Sequence, residues 1–453
     1  MCPKHRRTGA ICSIGKGGKR RELGRSTLAK VVYTQLGILW GNSLMKKLIV
    51  CCDGTGNEIG ENISNVLKFY RTLKKSESAS PQQVVFYHPG VGTLARPNPW
   101  TKLWQDTKTV LGLATGYGLD DGVLTAYEFL IQNYEDGDEI YLFGFSRGAH
   151  TARVLAALIH LIGILYPQQM NLAGAALTAY KQSKERADEL VQTKDDRAAQ
   201  FARITSTRWP TIRFLGVWDT VASVIVPRPD RFYTFSLQIL PYTRRNPSVK
   251  VFRQACSIDE RRRMFRLEPW VPAQTYMKNR FSKTNNARPQ DAKQVWFPGV
   301  HADVGGGYAE TESGLSKFPL QWMIDEAKKQ GLEFNTQSVN QLVWGHKRKG
   351  SPFDYVGPDY TAKPHQSLRG GWLLLETLPK KIKYREWPKR RNWFGFYIPW
   401  GEPRPVPERA IIHESALKHM EVAENNRLVN LPAEYLVEKL ADNPKAKSSE
   451  QNS

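Results

Sequence analysis

The sequence predicts an α/β fold class, a mostly parallel sheet with helices on both faces and large insertions. Three observations lead there. From residue 45 onward, short apolar runs alternate with segments of helical composition, the pattern of a sheet built from strand–helix units. The runs are rich in β-branched and aromatic residues, as strands buried on both faces require. One of them, Glu139-Ile-Tyr-Leu-Phe-Gly-Phe145, passes through Ser146-Arg-Gly148 directly into an Ala- and Leu-rich stretch with no proline until Pro167, which reads as strand, sharp turn and helix.

The elements follow in order. Residues 1–44 hold nine Lys/Arg against one Glu and show no clear periodicity. They read as a basic extension, disordered or translated from a start assigned too far upstream, because Met45-Lys-Lys opens directly into the first strand. A secretion signal is the alternative. Lys19-Arg-Arg21 loosely resembles a twin-arginine signal, but Val31–Trp40 is interrupted by Thr34, Gln35 and Gly37, and no cleavage site is clear. The domain proper spans 45–440. Leu48–Cys52 is a strand, and a helix follows with Asn62 or Ser64 as its cap. Val84–Tyr87 is a strand. Leu119–Tyr134 is a helix ending at the turn Glu135-Asp-Gly-Asp138. Ile140–Phe145, Thr211–Val217 and Gln294–Val300 are further strands. Insertions fall at about 166–208, 225–293 and 311–410. The first carries a charged helix, Ala175–Ala202. The second is basic and irregular, and the third mixes Trp, Pro and basic residues. Insertions of this size form lids that shape a pocket. The polar tail 441–453 reads as disordered.

Composition bounds the function. The chain of 453 residues with 41% hydrophobic content can bury a large core. A net charge of +22 implies anionic partners such as phospholipid, nucleic acid or acidic substrates, without selecting among them. The charge is spread along the chain rather than gathered in a motif, so a solvated basic surface is expected and nucleic acid is not. No run of about 18 apolar residues occurs, so no transmembrane segment is expected. Cysteines stand at 2, 12, 51, 52 and 256. The odd count and the lack of a C-x-x-C pair exclude a disulfide framework or zinc site. No metal or organic cofactor is implied. Reduced cysteines favour the cytoplasm, with secretion as the alternative.

Gly144-Phe-Ser-Arg-Gly148 has the form G-x-S-x-G, and its strand-to-helix context makes it the nucleophile elbow of an α/β-hydrolase. A serine needs a base to take its proton and an acid to orient the base, in the order Ser, acid, His along the chain. The strand ending at Trp218 delivers Asp219, and the strand ending at Val300 delivers His301. Both then lie at the carboxyl edge of the sheet beside Ser146. Asp219 is expected to fix the imidazole and His301 to shuttle the proton. His413 is the competing base, and Asp303 the competing acid unless it only pins the glycine turn after His301. His88 is a candidate pocket residue and His150 a packing residue. The oxyanion requires two backbone N–H donors. Arg147 supplies one, and Gly54 or Thr55, in Asp53-Gly-Thr-Gly-Asn57, the other. That glycine loop lacks the marks of a phosphate-binding loop. Asp259-Glu-Arg-Arg-Arg263 reads as a salt-bridged turn. Lys389–Trp400, mixing cations with aromatics, suits either a lid on the core or peripheral contact with an anionic membrane.

Cys52-Asp-Gly-Thr-Gly-Asn57, Gly137–Arg153, Val217-Trp-Asp-Thr220, Ile258–Arg262 and Trp296–Tyr308 occur in this order. Together they resemble the DUF2235 family, which is similar to the catalytic domain of Tle1-type phospholipase effectors of type VI secretion. The resemblance covers about residues 46–420. It implies an α/β-hydrolase fold and a serine esterase, lipase or phospholipase acting on a carboxylic ester of a lipid or phospholipid. It also implies Ser146, Asp219 and His301 as the triad. The rival readings are a hydrolase fold without activity that serves in binding, and a basic nucleic-acid-binding protein.

Overall fold

The computed structural model describes residues 45–440 apart from 55–61, 76–80, 91–117, 184–195, 222–224, 229–233, 238–239, 280–286, 378, 383–384, 386, 388–393 and 423–428. Met45–Ser453 forms one unit, and the expectations for 1–44 and 441–453 fall outside the described residues.

One sheet is built from β1 Lys47–Cys52, β2 Gln83–His88, β3 Glu139–Phe145, β4 Thr211–Trp218, β5 Val249–Ser257, β6 Asp291–Phe297, β7 Ala410–His413 and β8 Tyr435–Glu438. Its spatial order is β8-β7-β6-β5-β4-β3-β1-β2, and each pairing is parallel. From β3 to β8 the chain winds steadily outward. β1 lies between β3 and β2, so the winding reverses there. At such a switch point a crevice opens beyond the carboxyl ends of the strands. Here those ends carry Asp53 and Ser146.

The helices that the site and the core rest on are α1 Asn65–Thr72, α2 Leu119–Asn133, α3 Ser146–Ile162, α4 Ala173–Lys181, α5 Arg197–Thr205, α6 His301–Gly305, α7 Lys317–Lys329 and α8 Glu414–Val422; two short helices, Thr336–Leu342 and Gly371–Glu376, lie between α7 and α8. They cover both faces. On β1, Leu48, Val50 and Cys52 join a core with residues of α2, α3 and α4. Ile49 and Cys51 point the other way, into a core with Phe69 of α1 and Met323 of α7. The two adjacent cysteines thus lie on opposite faces, as the period of a strand dictates. Ser64 starts α1, its Oγ accepting from the Leu67 N–H at 3.1 Å.

Three stretches differ from the sequence reading. Ala175–Ala202 is not one helix: α4 ends at Lys181 and α5 begins at Arg197. Asp196 imposes the restart, because its carboxylate accepts from the Ala198 N–H at 3.1 Å and caps α5. The stretch 225–293 contains β5, a central strand. Lys250, Arg253 and Gln254 break its apolar run, and so hid it. Arg253 is nevertheless buried, because Glu326 bonds its Nε and the Asp291 carboxylate takes Nη1 and Nη2 at 2.8 and 2.9 Å. The stretch 311–410 opens with α7, whose Phe318, Leu320 and Met323 belong to the core under the sheet.

Candidate active site

The elbow is built as its glycines require. Ser146 begins α3 directly after β3, at φ 58°, a region that a serine occupies only when the surroundings over-determine it. A Cβ on Gly144 would lie 2.4 Å from the Gly148 carbonyl oxygen, and one on Gly148 would lie 2.2 Å from the Cys52 carbonyl oxygen. Only glycine lets the elbow turn this tightly against β1.

Asp219 follows β4 and His301 opens α6, two strands farther along the same edge. His301 Nε2 lies 2.8 Å from Ser146 Oγ, and His301 Nδ1 lies 2.5 Å from Asp219 Oδ2. An ionised carboxylate only accepts. The Nδ1 therefore carries the proton, and Nε2 is left to accept from the serine hydroxyl. Asp219 is fully buried, which alone would raise its pKa. Arg404 and His301 outweigh that and hold it well below the usual carboxylate range. Burial lowers the His301 pKa against the opposing pull of Asp219. The resting imidazole is thus neutral, the form that can take a proton.

The start of α6, which carries His301, is fixed from several sides. Glu260 accepts from the His301 backbone N–H at 3.2 Å and from Ser367 Oγ at 2.9 Å. Glu260 also pairs with Arg262 at 2.9 Å, so the Asp259–Arg263 segment is a salt-bridged turn. Arg262 lies 3.6 Å over the Phe265 ring, which packs edge-on against His301. Phe145 packs on the same imidazole.

The other sequence candidates sit apart from this relay. Asp303 accepts from the Val300 N–H at 2.9 Å and bonds His365 Nδ1 at 2.6 Å. It pins the turn, while the carboxylate bonded to His301 Nδ1 is that of Asp219. His413 bonds Ser415 Oγ at 2.8 Å and stacks on Phe297. Burial pushes its pKa down to about 3. It is a packing residue and not in hydrogen-bond contact with Ser146. His150 pairs with Glu268 at 2.8 Å on the buried side of α3. His88 ends β2 and accepts from the Gly90 N–H.

Of the expected oxyanion donors, Arg147 lies in the first turn of α3, where N–H groups lack intrahelical partners. Burial lowers its guanidinium pKa to about 10. The Gly54 N–H donates to Asp53 Oδ1 at 2.7 Å, so it is engaged by a carboxylate. Thr55 lies outside the described residues. Asp53 also accepts from Ser64 Oγ and from Tyr87 Oη at 2.8 Å, which ties the β1 loop to β2 and α1. Sequence reasoning passed over Asp53 as an organiser of this loop. It missed Arg404 altogether. No motif surrounds Arg404, and its partner stands 185 positions away. Among the described residues no three metal-ligating side chains converge. No helix among them is long and apolar enough to cross a membrane.

A family model described as the T6SS phospholipase effector Tle1-like catalytic domain matches residues 46–326. The chain is 26% identical to the uncharacterized protein YEL023C of Saccharomyces cerevisiae, over 86% of this chain and 81% of that protein. A crystal structure of an uncharacterized Pseudomonas aeruginosa protein is 19% identical and covers 69% of this chain and 50% of its own, with a TM-score of 0.34. The Tle1 effector bound to the VgrG spike of a type 6 secretion system is 18% identical. It covers 60% of this chain and 53% of its own, with a TM-score of 0.29. The chain spans about half the length of those two solved chains.

Proposed function

This chain belongs to the T6SS Tle1-like phospholipase effector catalytic-domain family, and on that premise we propose that it is a serine hydrolase cleaving carboxylic esters of lipids, phospholipids foremost. One observation carries the reading: the unbroken chain of contacts Ser146 Oγ to His301 Nε2 to Asp219 Oδ2, at 2.8 and 2.5 Å. In the proposed reaction Ser146 Oγ attacks the ester carbonyl carbon while its proton passes to His301 Nε2. The tetrahedral oxyanion faces the Arg147 N–H, and a second donor is required from the Asp53–Asn57 loop. Collapse expels the alcohol, which leaves with the proton from Nε2–H. Water then attacks the acyl-serine by the same route, releasing the fatty acid and restoring Ser146.

Membrane contact belongs to the same reading. The hairpin of Lys380–Lys381 with Phe396–Tyr397 presents Phe394, Phe396, Ile398 and Trp400 outward at 84, 43, 38 and 52% exposure. Tyr397 turns inward to Glu402 at 2.7 Å. Alternating exposed apolar side chains, three of them aromatic, preceded in sequence by Lys389-Arg-Arg391, suit an anionic lipid interface.

The deciding experiment is labelling with a fluorophosphonate probe together with hydrolysis of a short p-nitrophenyl ester. Wild type is expected to label and turn over. Ser146→Ala is expected to do neither while keeping its fold, since the side chain is partly exposed and its loss costs under about 1 kcal/mol. Equal turnover in the pure variant would remove Ser146 from the reaction.

A further inference from the structure

Asp219 has a cationic partner besides the histidine. Arg404 Nη1 lies 2.6 Å from Asp219 Oδ1, and Arg404 Nη2 lies 3.0 Å from Oδ2, the bidentate fork of a guanidinium on a carboxylate. Arg404 is 4% exposed and Asp219 0%. The guanidinium is itself anchored. Nη1 donates to Ser257 Oγ at 2.8 Å and to the Ser257 carbonyl at 3.2 Å, and Nη2 donates to the Phe265 carbonyl at 2.5 Å. The Ser257 N–H also reaches Asp219 Oδ1 at 2.9 Å. Oδ1 is thus shared by Ser257 and Arg404, and Oδ2 by His301 and Arg404. Arg404 stands in the connection from β6 to β7, beyond the residues that the family model matches.

We propose that Arg404 is a positioning residue for the Ser146–His301–Asp219 relay, acting through Asp219 by fixing the plane of its carboxylate and sharing its charge. The inference rests on the serine-hydrolase reading. Rotation of the carboxylate by a few tens of degrees would carry Oδ2 away from His301 Nδ1 and release the imidazole from its alignment on Ser146. The fork, braced by Ser257 and Phe265, opposes that rotation. The charge balance points the same way. Facing His301 are Asp219 on one ring edge, Ser146 on the other, the Phe145 and Phe265 rings, Glu260 at its backbone N–H and Arg262 over Phe265. With Arg404 behind Asp219, two carboxylates meet two guanidinium groups. Without Arg404 the surroundings carry an excess negative charge, which stabilises the imidazolium and withdraws the base at neutral pH. Lysine would bring the charge without the fork.

The test uses the full chain as wild type, Arg404→Lys and Arg404→Gln, each titrated with a fluorophosphonate so that rates are expressed per reactive serine. Kcat and KM for p-nitrophenyl butyrate are then measured across pH. Arg404→Gln is expected to lose about 10²-fold in kcat, the scale of a misplaced catalytic group, with KM nearly unchanged and the acid limb displaced to higher pH. Arg404→Lys should lose less kcat and displace the limb less. Ser257→Ala removes one brace and keeps every charge; a several-fold loss of kcat at constant KM is expected, and it keeps the question answerable if both Arg404 variants fail to fold. Per-site kcat within twofold of wild type and an unmoved limb in the folded variants would overturn the role, since a purely structural residue changes only the number of reactive sites. A wild type that neither labels nor turns over would instead sink the serine-hydrolase reading, and this inference with it.

Discussion

Gly148 lies so close to Cys52 that a Cβ on it would meet the Cys52 carbonyl oxygen at 2.2 Å. The neighbour is backbone of a central strand and cannot rotate away. Gly148→Ala is therefore expected to cost about 3 kcal/mol or more. It should also lower esterase activity, because relief of the clash must move α3 and Ser146. Urea denaturation measures the first and turnover the second. A variant as stable as wild type would mean that the elbow is looser than this contact implies.

The two histidines that compete for the role of base are separated by mutation. His301→Ala is expected to lose labelling and turnover together, by about 10³-fold, as members of one relay act as a unit. His413→Ala should keep the rate per folded molecule and lose stability, since its ring stacks on Phe297. The reverse result would make His413 the base.

The pH profile follows from the environment of His301. Burial lowers its pKa from 6.5, opposed by the hydrogen bond and charge of Asp219. The reaction needs the neutral ring, which persists as pH falls until the lowered pKa is crossed. The acid limb of kcat/KM is expected below pH 6.5, with a flat rate from about pH 7 to 8. A midpoint above 7 would show that Asp219 dominates burial.

The ridge Phe394–Trp400 makes a separate prediction. Phe394→Ser with Trp400→Ser should weaken binding to phosphatidylglycerol vesicles by about tenfold, the scale of two aromatic side chains at a membrane interface. Hydrolysis of a soluble ester should be unchanged. Vesicle sedimentation reads the first outcome, and equal binding by the double variant would relegate the ridge to ordinary surface.

The sheet was legible where its strands are uninterrupted apolar runs. β1 and β3 announce themselves, β4 is readable despite Arg213 because Phe214–Trp218 stays apolar, and the elbow is visible because local glycines dictate it. β5 was not legible, since Arg253 and Gln254 read as surface residues until Glu326 and Asp291 from other segments neutralise the arginine. Asp219 and His301 could be placed because each follows a readable strand. Arg404 could not, as its role comes only from a contact with a residue distant in sequence. The glycine loop after β1 suggested Gly54 as a donor. The Asp53 carboxylate that takes its N–H is a short-range contact, yet sequence alone does not tell which way that side chain turns.

The free cysteines of the sheet carry a last consequence. Cys51, Cys52 and Cys256 are all buried. Cys51 and Cys52 face opposite sides of one strand. β3 and β4 separate that strand from β5 and Cys256, a span of about 14 Å at the usual strand spacing. A disulfide bridges Cα atoms no more than about 7 Å apart. Burial also raises the Cys52 thiol to about 12, which leaves little thiolate for an oxidant to meet. The sheet is therefore indifferent to the redox poise of its surroundings, and these three thiols set no condition on which side of a membrane the domain folds and works.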